Sequence, residues 1–304
     1  MHTASDSWLR QFRTTLIAGI QLLNEDGWLY ERLFLSYHYL FFIHRHKRIP
    51  QAKQQRFNDY HFFRKINGTL RDPLKRHVTD KEHGKQFVSD HVGTGRTMPT
   101  LAILQNHAEI DAYLPSEFPV VIKPTHSSNR ICFIHQTQDY LTALPKLHQW
   151  LEHDFFLHEL EHNYAGLEKK LIVEPYLDNA FYLEGSIHCR QGSARIISVI
   201  DRFDKEKRRE SFDQHWQALH VALGQPYQEL HLPSPPFLEQ LLKEAELLAQ
   251  NFDFVRVDFY ASETDFIFGE LTNLPGGGLA RFSSEEGEQR FNKAFFDNDQ
   301  SLKP

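Results

Sequence analysis

The chain has 304 residues, 40% of them hydrophobic and 24% charged, with a formal net charge of −6. That length can bury the cores of two domains, and the mild acidity excludes a general nucleic-acid binder, which would carry a basic surface. Two cysteines, Cys132 and Cys189, exclude a disulfide scaffold and point to a reducing compartment.

Apolar residues at helical spacing predict helices over 8–23 and 27–43, and residues 1–60 are expected to form an N-terminal helical extension. Met1 to Ser7 is polar, with no basic leader before an apolar core, so the expected location is the cytoplasm. The apolar run Leu33 to Ile43 is too short to cross about 30 Å of hydrocarbon as a helix. It reads as a packed helix, and no transmembrane segment is expected. The basic cluster His44 to Arg48 reads as a solvated helix end, with peripheral contact to a membrane surface as the alternative.

Thr79 and Glu82 have the spacing of a capping box for a helix ending at Gly93. Gly93 and Gly95 then mark a helix stop and a loop, because the third glycine and following helix of a nucleotide fingerprint are missing. Residues 61–117 are expected to form a small α/β unit. Phe118 to Lys123 is an apolar strand ending in lysine, followed by Pro124, Thr125, His126, Ser127, Ser128 and Asn129. A lysine at a strand end can reach a phosphate, and small hydroxylated residues let backbone amides approach an anion. A strand near Cys132, helices over 140–151 and near Glu159, and the β-rich run Leu171 to Leu177 follow. Glu174 and Pro175 interrupt that last run as at a hinge, where unpaired backbone groups can meet a planar base.

The C-terminal part, 178–304, is expected to hold antiparallel strands near Ile187, Ile197, Phe254 and Ile267, with a helix over 237–250 opened by Ser234 and two prolines. In Phe254 to Tyr260, Arg256 and Asp258 point one way, while Val255, Val257 and Phe259 enter a core. Polar residues 261–265 then predict a hairpin turn, which brings Asp258 opposite Glu270 with Cβ atoms roughly 5 Å apart. Two carboxylates so close repel unless a cation lies between them, and Mg²⁺ suits such a pair when substrate phosphates complete its shell. A surface hairpin with charges on alternate positions is the competing reading. The 19 histidines are scattered, and no Cys/His zinc spacing appears.

These elements, in this order, resemble the ATP-grasp superfamily, and more closely its TupA-like (teichuronopeptide biosynthesis) branch. The resemblance runs through RFNDYHFFRK (56–65), TDKEHGKQFV (79–88), VIKPTHSS, EHNYAGLEKKLIVEPYL (161–177), DRF (201–203), FVRVDFY and GELTNLPGGG. It implies an α+β fold in which two subdomains clamp nucleotide: a lid over 118–177 and a C-terminal core with the metal site over 178–304. It also implies that Lys123 contacts the α and β phosphates, that Glu174, Tyr176 and Leu177 form the adenine hinge, and that Asp178 reaches the ribose. Lys81, His126, Ser127 and Ser128 join the ATP-binding set. Arg256 would stabilise the transferring phosphoryl group, Asp258 and Glu270 would bind Mg²⁺ with Asn273 as a further ligand, and Arg202, Gly276, Gly277 and Arg281 would face the acceptor.

The chain departs from the branch pattern at Ser127–Asn129, which replace a glycine-serine-glycine run, and from much of the superfamily at Thr272, which holds the usual asparagine position and where the branch also tends to have threonine. It also has no basic residue on the strand around Glu184. The implied activity is an ATP-dependent carboxylate–amine ligase that joins an amino acid or peptide to a uronic-acid carboxylate of a cell-surface polysaccharide. A ligase of small-molecule amino acids and a degenerate nucleotide-binding partner of a glycosyltransferase are the alternatives.

Overall fold

The computed structural model describes residues 4–297 apart from 24 and 26, so the first three residues of the expected helical extension and residues 298–304 of the expected core lie outside it. Helix α1 (Ala4–Gln21) and helix α2 (Trp28–His46) pair through Ile17, Ile20, Tyr30, Phe34 and Tyr37, with Leu160 packed against them. Helix α2 runs three residues past the expected end. It takes in the start of the basic cluster and stops where Lys47 turns left-handed and donates its N–H to Ile43 O. No helix among the described residues is long and apolar enough to cross a membrane.

Helices α3 (Phe57–Ile66), α4 (Pro73–Thr79) and α5 (Lys81–Val92) follow. The expected Thr79 cap is displaced by one residue. Asp80 has extended backbone between the two helices, and its Oδ1 accepts the N–H groups of Glu82 and His83, whereas Thr79 ends α4 with its hydroxyl on Lys75 O. An Asp at this position satisfies donors the helix itself cannot.

A four-stranded antiparallel sheet comes next, in the order β1 (Ala102–Leu104), β4 (Leu171–Pro175), β2 (Val120–Pro124), β3 (Cys132–Ile134). Helices α6 (His107–Ala112) and α7 (Thr137–Glu152) cover one face, burying Ile110, Tyr140, Leu147 and Trp150 against Val120, Ile122, Leu171 and Val173. The sheet therefore reaches back across residue 118 to recruit β1. A short helix, α8 (Phe155–Glu159), links it to the loop before β4.

The second sheet has five antiparallel strands in the order β7 (Arg209–Asp213), β6 (Ser193–Asp201), β5 (Leu183–Arg190), β8 (Phe254–Ala261), β9 (Phe266–Thr272). Strands β5 and β6 join through Gln191 and Gly192, both at positive φ, the two-residue turn whose twist matches paired strands. One face is apolar: Ile187, Ile197, Val255, Val257 and Phe259 pack on α5 and on α9 (Leu238–Ala249), whose leucines lie at helical spacing. That helix starts behind Phe237 with no side-chain cap, so Ser234 has no capping part. Helix α10 (Glu285–Phe296), absent from the sequence expectation together with β7, buries Phe291 and Phe295 beside Phe57 and Phe254. Burial of aromatics of this size stabilises by roughly 2–3 kcal/mol each. The opposite face is apolar only where Ile196 and Phe254 lie under α10; beyond them it carries Arg256 and Asp258, and α5 runs along the β9 edge.

Candidate active site

The alternation expected in β8 is present: Val255, Val257 and Phe259 are buried in the core, and Arg256 and Asp258 lie on the polar face. Strict alternation in β9 would put Phe266 and Phe268 on the same face as Glu270. A β-bulge prevents this. Phe259 pairs with Phe268 but Val257 pairs with Leu271, so Gly269 and Glu270 together oppose Asp258. The extra residue changes the phase of the strand; both phenylalanines enter the core and Glu270 stays on the polar face.

Arg256 stands between the two acids. Its Nε donates to Asp258 Oδ1 at 2.6 Å, its Nη2 to Thr272 Oγ1 at 3.1 Å, and Nη2 is 3.8 Å from Glu270 Oε1. Burial raises the Asp258 carboxyl to about 6, against the pull of Arg256 and with the charge of Glu270 adding to the rise. Burial also raises Glu270, but Lys81, Arg256 and Lys123 outweigh it and hold that carboxyl below its usual range. A pair of carboxylates and a threonine hydroxyl on one face form an all-oxygen donor set, which fits Mg²⁺ rather than a softer metal. Among the described residues the cluster with three candidate ligand groups is elsewhere, at Asp80, Glu82 and His83. Its members are already engaged, Asp80 as a helix cap and Glu82 with Lys170 at 2.5 Å.

Three lysines face these acids from α5 and β2. Lys123 pairs with Glu174 Oε2 at 2.5 Å and Lys85 with Glu174 Oε1 at 2.7 Å. Burial raises the Glu174 carboxyl, and the two ammonium groups reverse this and bring it below its usual range. Lys81 donates to Ser127 O at 2.5 Å and lies 3.9 Å from Glu270 Oε2; burial lowers its pKa while Glu270 opposes. Ser127 Oγ is buried without a hydrogen-bond partner among the described residues, and Ser128 lies on the cleft wall.

Four other expected site residues, His126, Asn273, Arg202 and Arg281, turn to other partners. His126 is buried in the first sheet's domain, with one ring nitrogen against Trp150 O and the other accepting from Lys170 N, so it meets backbone rather than a phosphate. Asn273 follows the last residue of β9 and turns to the opposite side from Thr272, its amide donating to Lys75 O and Thr79 Oγ1; Thr272 is the residue beside the acids. Arg202 donates to the carbonyls of Leu177, Asp178 and Phe181 and lies over the Tyr176 ring. It braces the chain leaving β4, whose carbonyls lack ladder partners there, instead of facing an acceptor. Tyr176 N bonds Pro119 O, Leu177 is buried, and the exposed Asp178 accepts from Ala180 N. Arg281 is exposed and donates to Arg45 O at the end of α2. Gly276 and Gly277, at φ 55° and 63°, do line the cleft.

Sequence reasoning missed Lys85, although its place four residues after Lys81 sets both on one helical face. It also missed Arg209. The basic group absent from the strand around Glu184 is supplied by β7, where Arg209 pairs with Ile200, itself paired with Glu184. Directly paired residues share a face, so Arg209 lies on the polar side; its pKa is lowered by burial and by Arg256, with Asp258 and Glu184 opposing.

Of these groups, Lys81, Lys85, Arg209, Arg256, Glu270 and Thr272 line a cavity of about 780 Å³ that runs from Ser128 past Arg256 and Glu270 to the wall formed by α2. A family profile described as TupA-like ATPgrasp matches residues 61–295. No curated protein matches the chain. Among solved structures, the chain is similar to the L-amino acid ligase from Bacillus licheniformis (13% identity, 90% of this chain and 64% of that one, TM-score 0.48). It is also similar to the ATP complex of the D-alanine–D-alanine ligase from Bacillus anthracis (15% identity, 66% and 56%, TM-score 0.43) and to the D-cycloserine synthetase DcsG (15% identity, 77% and 75%, TM-score 0.43). It spans less than two thirds of the length of the first two of these enzymes.

Proposed function

Because the chain belongs to the TupA-like ATP-grasp family, we propose that it is an ATP-dependent carboxylate–amine ligase: ATP phosphorylates a carboxylate, an amine attacks the acylphosphate, and an amide, ADP and phosphate leave. The observation that carries this is one cavity in which Arg256 and Glu270 on one wall meet Lys81, Lys85 and Ser128, from the loop after Lys123, on the other, with Asp258 held against Arg256. Phosphoryl transfer demands positioning and charge neutralisation rather than a covalent enzyme group. Lys123, Lys81 and Lys85 hold the phosphates, with Glu174 as the counter-ion that aims two of them. Ser127 and Ser128 lie beside the phosphates, and Tyr176, Leu177 and Asp178 bound the base and ribose. Arg256, aided by Arg209, offsets charge on the transferring group. Asp258 and Glu270 would hold Mg²⁺, which supplies further charge neutralisation when bound.

The substrates of this reading are a uronic-acid carboxylate of a cell-surface polysaccharide or its precursor and an amino acid, joined in the cytoplasm, with Gly276 and Gly277 on the acceptor side. Incubation with ATP, Mg²⁺, glucuronate or galacturonate and an amino acid should release ADP only when both partners are present, and the product should have the mass of the amide. Failure of Mg-ATP to bind in calorimetry removes the ligase reading. Nucleotide binding without any ADP release favours a degenerate binding partner instead.

A further inference from the structure

The far end of the cavity holds a charged pair that phosphate chemistry does not use. Lys65 on α3 and Glu161 after α8 are nearly buried, with side chains 8% and 10% exposed, and Lys65 Nζ stands 3.9 Å from Glu161 Oε1. That is beyond hydrogen-bond reach, and neither charged end has a hydrogen bond to any other described residue. Buried charges are tolerated when hydrogen bonds satisfy them, and their neighbours differ in this respect. Arg13 donates to Tyr37 Oη at 2.9 Å and pairs with Glu159, closing a network of its own. Lys65 and Glu161 both line the cavity. Gly277 lies directly against them: at φ 63°, a Cβ there would stand 3.1 Å from Glu161 Oε1 and 4.0 Å from Lys65 Nζ.

We propose that Lys65 and Glu161 form the seat of the amine substrate, taken as a zwitterionic α-amino acid whose carboxylate meets Lys65 and whose ammonium meets Glu161. Opposite charges side by side are complemented by a ligand carrying the same two charges in reverse order. An α-amino acid does so because its nitrogen and carboxylate oxygens are roughly 3 Å apart; a peptide has its ends separated, and a simple amine or carboxylate leaves one buried charge unmatched. Phe41 and Phe62 on the same wall offer apolar surface to a side chain. Tyr164 lines the same cavity as Glu161, Glu270 and Arg256 and feels the charge of all three, so the seat and the acid–arginine cluster share one cavity. The amine role rests on the ligase reading; the zwitterion seat does not.

Calorimetry on the full chain above pH 7, where Glu161 gives up its proton, with L-alanine, L-glutamate, L-lysine and L-phenylalanine, each with and without Mg-ADP, tests the seat. At least one should bind. Its carboxamide, its N-acetyl derivative and the corresponding dipeptide should each bind wild-type protein roughly tenfold more weakly or worse, as expected when a charge-assisted hydrogen bond is lost. These comparisons are read on unaltered protein, so folding of a variant does not limit them. In Lys65→Met the carboxamide should bind as well as the parent amino acid, and in Glu161→Gln the parent should lose its advantage over the N-acetyl form. The proposal is overturned if no amino acid binds up to about 10 mM, if the blocked derivatives match the parent on wild-type protein, or if both variants bind like wild type. Amino-acid binding without Mg-ATP binding would sink the ligase reading and leave the seat standing. ADP release with the seat variants unimpaired would do the reverse.

Discussion

At the scale of single residues, Arg256 and Asp258 carry the sharpest expectation. Removing one preorganised charge-stabilising group typically lowers turnover on the order of 100-fold to 1000-fold. Arg256→Ala and Asp258→Asn should each do so in an ADP-release assay while keeping the wild-type circular dichroism spectrum; wild-type rates in either would remove the role. Glu161 gives a pH signature. Burial raises its carboxyl from 4.5 to about 7, Lys65 and Arg13 pulling down and Glu159 pushing up. His38 on α2, which lines the same cavity, is kept neutral by burial and by Lys65. The folded state therefore holds a proton that the unfolded chain releases near pH 4.5. The stabilisation is complete below that pH and is lost as pH rises through about 7. Glu161→Gln should gain on wild type across this window, by on the order of 3 kcal/mol, and a pH-independent difference in urea unfolding would deny it. The alternation in β8 made Arg256 and Asp258 legible in the sequence. Asn273, Arg202, His126 and Arg281 misled because a motif match gives a residue's place in the chain, not the direction of its side chain, and all four satisfy nearby backbone carbonyls or amides.

Among the elements, α5 is the informative one. Asp80 Oδ1 caps it while Oδ2 accepts the Thr125 hydroxyl at 2.7 Å. Loss of a cap costs typically about 1 kcal/mol, and a buried hydroxyl left unpaired adds roughly 1–3 kcal/mol. Asp80→Ala should thus lower the unfolding free energy by about 2–4 kcal/mol, with Asp80→Asn milder; an Ala variant of wild-type stability would mean that the cap is dispensable. Gly84 on the same helix faces α4 so closely that a Cβ would stand 2.8 Å from Val78 O, which is backbone and cannot step aside. Gly84→Ala should cost about 1–3 kcal/mol in the same measurement. Long periodic elements such as α2, α7 and α9 could be read from the sequence because their apolar faces repeat. Strand β7 could not: Glu210 and Ser211 are buried there beside Phe212, so polar residues hide its core. Strand β1 has three residues, too few for a period.

For the whole molecule, the α+β architecture was legible because the order of strands, helices and charged punctuation survives even where exact boundaries do not. Pairing across long separations was not: Ala102 with Val173 and Leu183 with Ala261 follow from tertiary packing alone. A ligand held between two domains stabilises both by mass action. Mg-ATP at about 100 times its dissociation constant should raise the global unfolding free energy by about 2.7 kcal/mol, with one transition rather than two in the calorimetric scan; an unchanged transition would mean that nucleotide does not bridge the domains.

Helix α5 touches both halves at once. Lys81 holds Ser127 O and faces Glu270 across the gap, Lys85 holds Glu174, and the helix body packs on α9 and β9. Swinging the first sheet outward about this axle would break these same contacts. The two sheets are latched to one another through the ammonium groups of this one helix.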